Sequence, residues 1–333
     1  MKRIGFLLLT LVLTISVLML PATGCAESKT QTVEESSIPV AEEAEFPLTV
    51  TDQAGRLVTI EKMPEKIISM APSNTEILFA LGLGDRVVGV TQFCNYPAEA
   101  QDKPKIGGFS QADIDVSIEQ IVAIEPDLIL ASETHITEVI PKLEQLVPQS
   151  AVIVLKTQTE AFDVVFEAIA LVGKCTGTTD EAGQLVTEMN NRIQAITDKT
   201  KNMPDSERPK VLYIVWNDPI YAIGGGTLGN ALIEAAGGIN IFQDLTGSPT
   251  VGLETIIIRN PQIILASAAI GTGFDLPYQF ALTEPRLEGV EARINGRVYP
   301  VNDDLAGRPG PRIVEALELM AKMIHPEIFG SVE

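Results

Sequence analysis

The sequence predicts an α/β protein of two lobes, each with a mostly parallel sheet, bridged by a single long α-helix. Three observations carry that prediction. The first is a repeat: residues 118–132 read IEQIVAIEPDLILAS and residues 253–267 read LETIIIRNPQIILAS. They align without a gap, with identities at Glu119/Glu254, Ile121/Ile256, Pro126/Pro261, Ile129/Ile264, Leu130/Leu265, Ala131/Ala266 and Ser132/Ser267. Each copy reads as a short helix, a Pro-marked turn and a buried strand. The second is an alternation of strand and helix on both sides of the chain's middle, which implies parallel sheets with helices on their faces. The third is one helical stretch between those halves. Two lobes leave a cleft, and such clefts are where small ligands bind.

The elements follow in order. Residues 48–61, LTVTDQAGRLVTIE, alternate on either side of Gln53–Arg56 and form a hairpin. Strand 66–70 follows. Ser73-Asn74-Thr75-Glu76 opens a helix that ends at Gly82 and Gly84, with Ser73 and Glu76 spaced as a capping box. Strand 86–91, helix 117–124, strand 127–132, helix 136–146 and strand 151–155 complete the first lobe, residues 47–160. Residues 161–203 are the bridge. Phe162–Val172 is helical to Gly173, and Asp180–Lys201 is a second helix with Leu185, Met189, Ile193 and Ile196 on one face. Those 22 residues span about 33 Å. The second lobe, 204–333, holds strand 210–216, helices 227–236 and 253–258, strand 262–267, a short helix near 277–282, strand 297–301 and helix 311–324. One helical crossing allows smaller lobe movements than several flexible strands would.

The N-terminus has the form of a secretion signal, residues 1–24. Lys2 and Arg3 precede an apolar run from Ile4 to Leu20, which stops short of a comfortable membrane span. Pro21-Ala22-Thr23-Gly24-Cys25 resembles a lipobox, with Ala22 where Leu is usual. Ala22 and Gly24 also suit ordinary signal peptidase, so both processing routes stay open. Lipidation of Cys25 with several chains would hold the protein on an outward-facing membrane. Residues 25–46, rich in Glu, bury too little apolar area to order themselves and read as a flexible acidic tether.

The chain has 333 residues and a net charge of −20. That charge disfavours nucleic acid and anionic lipid as partners. Cys94 and Cys175 remain after Cys25; both sit in apolar sequence typical of buried free cysteine, and a disulfide between them stays open.

The body, from about 46 to 326, resembles the substrate-binding proteins of the iron-chelate and vitamin B12 ABC importers. The resemblance rests on VTDQAGRLVTI, APSNTEILFALGLGDRVVGVT, CNYPAEAQDKPKIGGF, the twofold helix–Pro–strand unit, GNALIEAAGGINIF and RPGPRIVEALELMAKMIHP. It implies two Rossmann-like lobes of the class III type, an exported monomer, and delivery of cargo to an ABC permease dimer with cytoplasmic ATPase subunits. It also implies an acidic docking residue on each lobe, which the motifs NTEILFALG and NALIEAAGG place at Glu76 and Glu234. The cargo is a corrinoid on the lean of CNYPAEA and RPGPRIVEALE, with ferric siderophore or haem as the alternative.

Candidate cleft residues lie past strand ends or in loops: Asn74, Tyr96, Phe109, His135, Trp216, Tyr221, Phe274 and Arg308. Aromatics suit the walls around a large flat ligand. Arg308 could meet an anionic group or pair with Asp303 or Asp304. His135 follows a strand end, where cleft residues fall in α/β sheets. Gly224, Gly226 and Gly229 match a dinucleotide fingerprint with Asp244 as its acid, but they read better as a tight loop at the cleft mouth. With only two histidines, a bare metal site and a resident cofactor are not expected. No nucleophile elbow, metal-protease helix or phosphate loop appears, which argues against a secreted enzyme on a two-lobed scaffold. The signal segment argues against a cytoplasmic metal-insertase subunit.

Overall fold

The computed structural model describes residues 45–108, 111–268 and 275–332, the side chains of 111–117 excepted. The secretion signal, Cys25, all but the end of the tether, Phe109 and Phe274 lie outside the described residues. No helix among the described residues is long and apolar enough to cross a membrane.

A two-stranded hairpin, β1 (Leu48–Thr51) and β2 (Leu57–Ile60), leads the chain. Its turn is closed by Asp52, whose Oδ1 accepts from the backbone amides of Ala54 and Arg56. The first lobe's sheet contains β3 (Ile67–Ser69), β4 (Val87–Val90), β5 (Leu128–Ser132) and β6 (Ala151–Leu155), all parallel, in the order β4-β3-β5-β6. β5 and β6 are buried at every position, as strands covered on both faces must be. Helices α1 (Pro72–Ala80), α2 (Gln111–Ile124) and α3 (Val139–Leu146) alternate with these strands.

Two helices make the bridge: α4 (Phe162–Thr176) and α5 (Thr179–Thr200). The first runs past Gly173 to a left-handed cap at Gly177. Gly173 is interior because it faces α5: a Cβ there would lie 2.5 Å from that of Ala182. The expected end at Gly173 mistook a packing glycine for a stop.

The second sheet contains β7 (Lys210–Asn217), β8 (Ile220–Ala222), β9 (Ile239–Asn240), β10 (Ile263–Ala268) and β11 (Val298–Asn302). The order is β11-β10-β7, with β8 and β9 both pairing with β7; only β8 is antiparallel. The helices are α6 (Leu228–Ala235), α7 (Leu253–Arg259), α8 (Leu276–Thr283), α9 (Glu291–Ile294), α10 (Asp303–Ala306), α11 (Ile313–Ile324) and α12 (Pro326–Phe329). The repeat is structural: Glu125 and Asn260, aligned residues just before the paired prolines, both adopt positive φ.

Each sheet buries one face in a core of its own, around Ile121, Ile129 and Val152 in the first lobe and around Ile214, Phe242 and Ile264 in the second. The other faces share one interior. It joins Ile67, Leu130 and Ile153 to Val172 of α4, Ile193 of α5, Leu317 of α11, and Val211 and Leu265 of the second sheet. The bridge is thus bonded to both lobes by continuous apolar packing, which restrains hinge motion.

Cys94 and Cys175 are both free and buried. Thr75 and Thr91 place their hydroxyls 3.0 and 3.2 Å from the Cys94 sulfur. Burial pushes the Cys175 thiol up to about 12.

Candidate functional site

A cavity of 850 Å³ lies between the lobes at the C-terminal ends of the strands. That is where open parallel sheets bind ligands. Residues 156–160, after β6, form one wall. Opposite them stand Ile223, the Gly226–Gly229 turn, Gly247 and Ser248. Tyr213, Val215, Ser267 and Asp303 form the floor. A smaller void of 230 Å³, which shares Thr157 and Gly307 with the first, extends the cleft toward Ser73, Ser132 and Arg308.

The wall after β6 is fixed from below by Glu133. Its carboxylate accepts from the Thr157 amide at 2.7 Å, the Thr157 hydroxyl at 3.0 Å and the Gln158 amide at 2.7 Å. The opposite wall depends on close backbone approach. The 224–225 segment pairs with 245–247, and a Cβ on Gly224 would lie 2.3 Å from the Leu245 carbonyl oxygen. Gly226 adopts φ +69° and Thr227 caps α6 through its hydroxyl. These glycines therefore turn a loop at the cleft mouth. The acid of the apparent dinucleotide fingerprint, Asp244, is held by Arg259, which keeps that carboxyl below its usual range.

Two aromatic candidates converge. The register of β7 against β8 shifts between Ile214 and Trp216. Trp216 is then the cross-strand partner of Tyr221, two residues from cleft-lining Ile223 on the same strand edge. Both residues are exposed, neither is among those lining the cavity, and the indole N–H donates to the Asp218 carbonyl at 2.9 Å.

Three other candidates are corrected. Asn74 is 1% exposed and spends its amide N–H groups on the Leu130 and Ala131 carbonyls, at 3.2 and 3.1 Å. It ties α1 to β5 and offers the cleft nothing. His135 is buried, and its Nδ1 accepts from the Ser132 amide at 3.0 Å, closing a short turn. Tyr96 lines a different void of 570 Å³, on the bridge side, with Leu185 and Met189.

Burial pushes the His135 imidazole below its ordinary pKa, with Glu133 opposing weakly. The neutral ring is the folded form, whereas the unfolded ring protonates near about 6.5. Its contribution to stability is therefore present above that value and is lost as pH falls below it. The thermal midpoint should fall between about pH 7.5 and about pH 5.5 more steeply for wild type than for His135→Asn. Equal slopes would contradict this assignment.

Arg308 and Glu76 meet each other. Arg312 grips Glu76 with two hydrogen bonds, Nε to Oε2 at 2.9 Å and Nη2 to Oε1 at 2.6 Å. Arg308 Nη1 donates to Glu76 Oε1 at 3.1 Å and to Asn95 Oδ1 at 2.7 Å. Asp304 accepts from Arg308 at 2.5 Å and from Asn95 at 2.7 Å. The Arg312 guanidinium also stacks 3.9 Å from the Tyr96 ring centre. Burial is the largest single influence on Arg312 and works against its charge, but the hydrogen bonds to Glu76 together with the attraction of Glu76, Glu315 and Tyr96 raise its pKa.

The result is a clasp of charges across the cleft, from α1 and the 93–96 loop to residues 304–312. The Glu76 side chain is 2% exposed. It is therefore not free to meet a partner's arginine, contrary to the docking expectation. The capping box is absent too: α1 starts at Pro72, capped by Ala71 without a side-chain bond. Glu234 is exposed, its carboxylate accepting from Asn230 at 3.0 Å. Sequence reasoning missed Arg312 and the floor residues Tyr213, Ser267 and Asp303. The signal for Arg312 was its two-proline distance from Arg308 in RPGPR.

Two lobes with mostly parallel sheets, a helical bridge that includes the long α5 and a polar cleft at the strand ends define a class III solute receptor. The chain belongs to the periplasmic binding protein family, whose model matches residues 67–305. It is 33% identical over 288 residues to an ABC transporter substrate-binding lipoprotein of Bacillus subtilis, covering 85% of this chain and 87% of that one. A cobalamin-binding protein of Halobacterium salinarum is 29% identical over 284 residues, covering 84% and 74%. The vitamin B12-binding protein BtuF of Vibrio cholerae superposes with a TM-score of 0.64 at 26% identity, covering 78% and 96%. The protein is accordingly a substrate-binding component of an ABC importer that acts outside the cytoplasm.

Proposed function

We propose that the protein captures a corrinoid in the interlobe cleft and delivers it to a membrane permease. The observation that carries this is the chemistry of the cavity walls. Gln158, Ser248 and Ser267 line the cavity with neutral polar side chains, while the Thr157, Thr159 and Thr227 hydroxyls beside them donate to Glu133 and to the Ala161 and Gly224 carbonyls. A corrinoid is a large ring edged with carboxamides, which such groups can pair without burying a charge. Anionic siderophores and haem propionates need cations instead, and the lysine of the cavity wall, Lys156, stands with two acids, Glu160 and Asp303. The cleft arginine, Arg308, is already engaged by Glu76, Asp304 and Asn95. The relatives named for cobalamin and vitamin B12 support the same reading. Lipidation at Cys25 would keep the loaded receptor near its permease.

Trp216, the single tryptophan, is exposed on β7, the strand that supplies Tyr213 and Val215 to the cavity. Titration with cyanocobalamin, haem and a ferric siderophore, followed by absorbance and tryptophan quenching, tests the cargo. Saturable quenching by cyanocobalamin is expected. Tight binding of haem or the siderophore without cyanocobalamin would refute the corrinoid assignment.

Docking would use Glu119 and Glu254. Aligning Asn74 with Asn230 sets Glu76 against Leu232, so Glu76 and Glu234 do not occupy matching positions. Glu119 and Glu254 match in the repeat, both are exposed, and they lie on corresponding helices α2 and α7. A permease built of two like subunits presents one surface twice, which suits a twin pair of carboxylates.

A further inference from the structure

We propose that Tyr213, Ser267 and Asp303 form a subsite at the cleft floor that binds a single primary carboxamide of the cargo. This rests on the corrinoid reading and names the group recognised. The three residues come from adjacent strands: Tyr213 in the middle of β7, Ser267 near the end of β10, and Asp303 directly after β11. All three line the 850 Å³ cavity.

The Ser267 hydroxyl is the diagnostic atom. Ser267 is 2% exposed, and its Oγ has no hydrogen-bond partner among the described residues. The Tyr213 phenol and the Asp303 carboxyl lie close enough for the Ser267 hydroxyl to draw down the pKa of each, yet neither meets it at full hydrogen-bond distance and angle. A buried, unsatisfied hydroxyl is costly unless something supplies its bond. Its counterpart in the repeat, Ser132, is satisfied by Thr134 and His135. The second lobe thus leaves open what the first lobe closes.

The donor and acceptor pattern selects the ligand group. Burial holds the Tyr213 phenol protonated far above neutral pH, so it offers an O–H. Ser267 offers a second O–H. Asp303 opens onto the cleft and supplies acceptor oxygens, although the protein around it raises its carboxyl pKa. Two hydroxyl donors beside a carboxylate acceptor match a group with a carbonyl oxygen and an N–H₂ on one carbon. A ligand carboxylate would set two negative charges side by side. A carboxamide meets the same atoms without that repulsion.

The test measures Kd for cyanocobalamin and for its monocarboxylic acids, in which one side-chain amide is hydrolysed. Tyr213→Phe and Ser267→Ala should each weaken cyanocobalamin binding about 5–10-fold, the worth of one hydrogen bond. Wild type should disfavour one monocarboxylic acid at least about tenfold, and Asp303→Asn should narrow that gap. Thermal midpoints and circular dichroism identify a variant that binds poorly because it misfolds. Wild-type affinity in all three variants, or discrimination untouched by Asp303→Asn, overturns the subsite and leaves the corrinoid reading standing. Failure of wild type to bind any corrinoid overturns both.

Discussion

Glu76→Gln is expected to cost about 3–5 kcal/mol, because it leaves two arginines facing one another in a nearly closed site. In the wild-type protein both oxygens of Glu76 are engaged, and the Arg308 and Arg312 side chains are 13% and 14% exposed. An amide keeps the shape but removes the charge that holds the guanidinium groups together. For a body of this size the thermal midpoint should drop on the order of 10 °C. The two lobes should also sample a wider range of separations, measurable with a spin label on each lobe. Replacing both partners, Glu76→Leu with Arg312→Met, should recover part of the loss by removing a buried charge along with its mate. A midpoint unchanged in Glu76→Gln would show that the clasp is decorative.

Reversing Glu119 and Glu254 together should abolish import while leaving cargo affinity within about twofold, the scatter expected of exposed substitutions. Both carboxylates are exposed on helices α2 and α7, away from the residues that line the cleft. Each single reversal should reduce uptake, since one remaining carboxylate still orients half of the docking surface. Uptake in cells carrying a labelled corrinoid, compared with equilibrium binding to the purified variants, separates the two effects. Normal import by the double reversal would place docking elsewhere, with Glu234 the next residue to change.

The fold was largely legible because its signals are periodic. The buried runs LILAS and AVIVL, the repeat and the long amphipathic stretch of α5 all survive as elements with bounds shifted by a residue or two. Short pieces were not legible: β8 and β9 have three and two residues, too few to show a period. The site was harder to read. Asn74 and His135 look functional in sequence, because polar residues after strands often are. Their side chains are consumed by backbone groups that only the folded chain brings near. Glu76 met its partners more than 200 positions away, at Arg308 and Arg312, and no local pattern encodes that pairing. Tyr213 and Ser267 were hidden for the opposite reason. Inside apolar strands they read as core, and only the missing partner of the Ser267 hydroxyl sets that residue apart.

The interior that runs unbroken from the first sheet through α4, α5 and α11 to the second sheet has a consequence for heredity as well as for mechanics. Neither half can be cut free without stripping oily surface from the other, so the pair must mature and melt as a unit. The two similar pieces are welded along that interior, and a recombinant swapping one half for a relative's would inherit a mismatched seam.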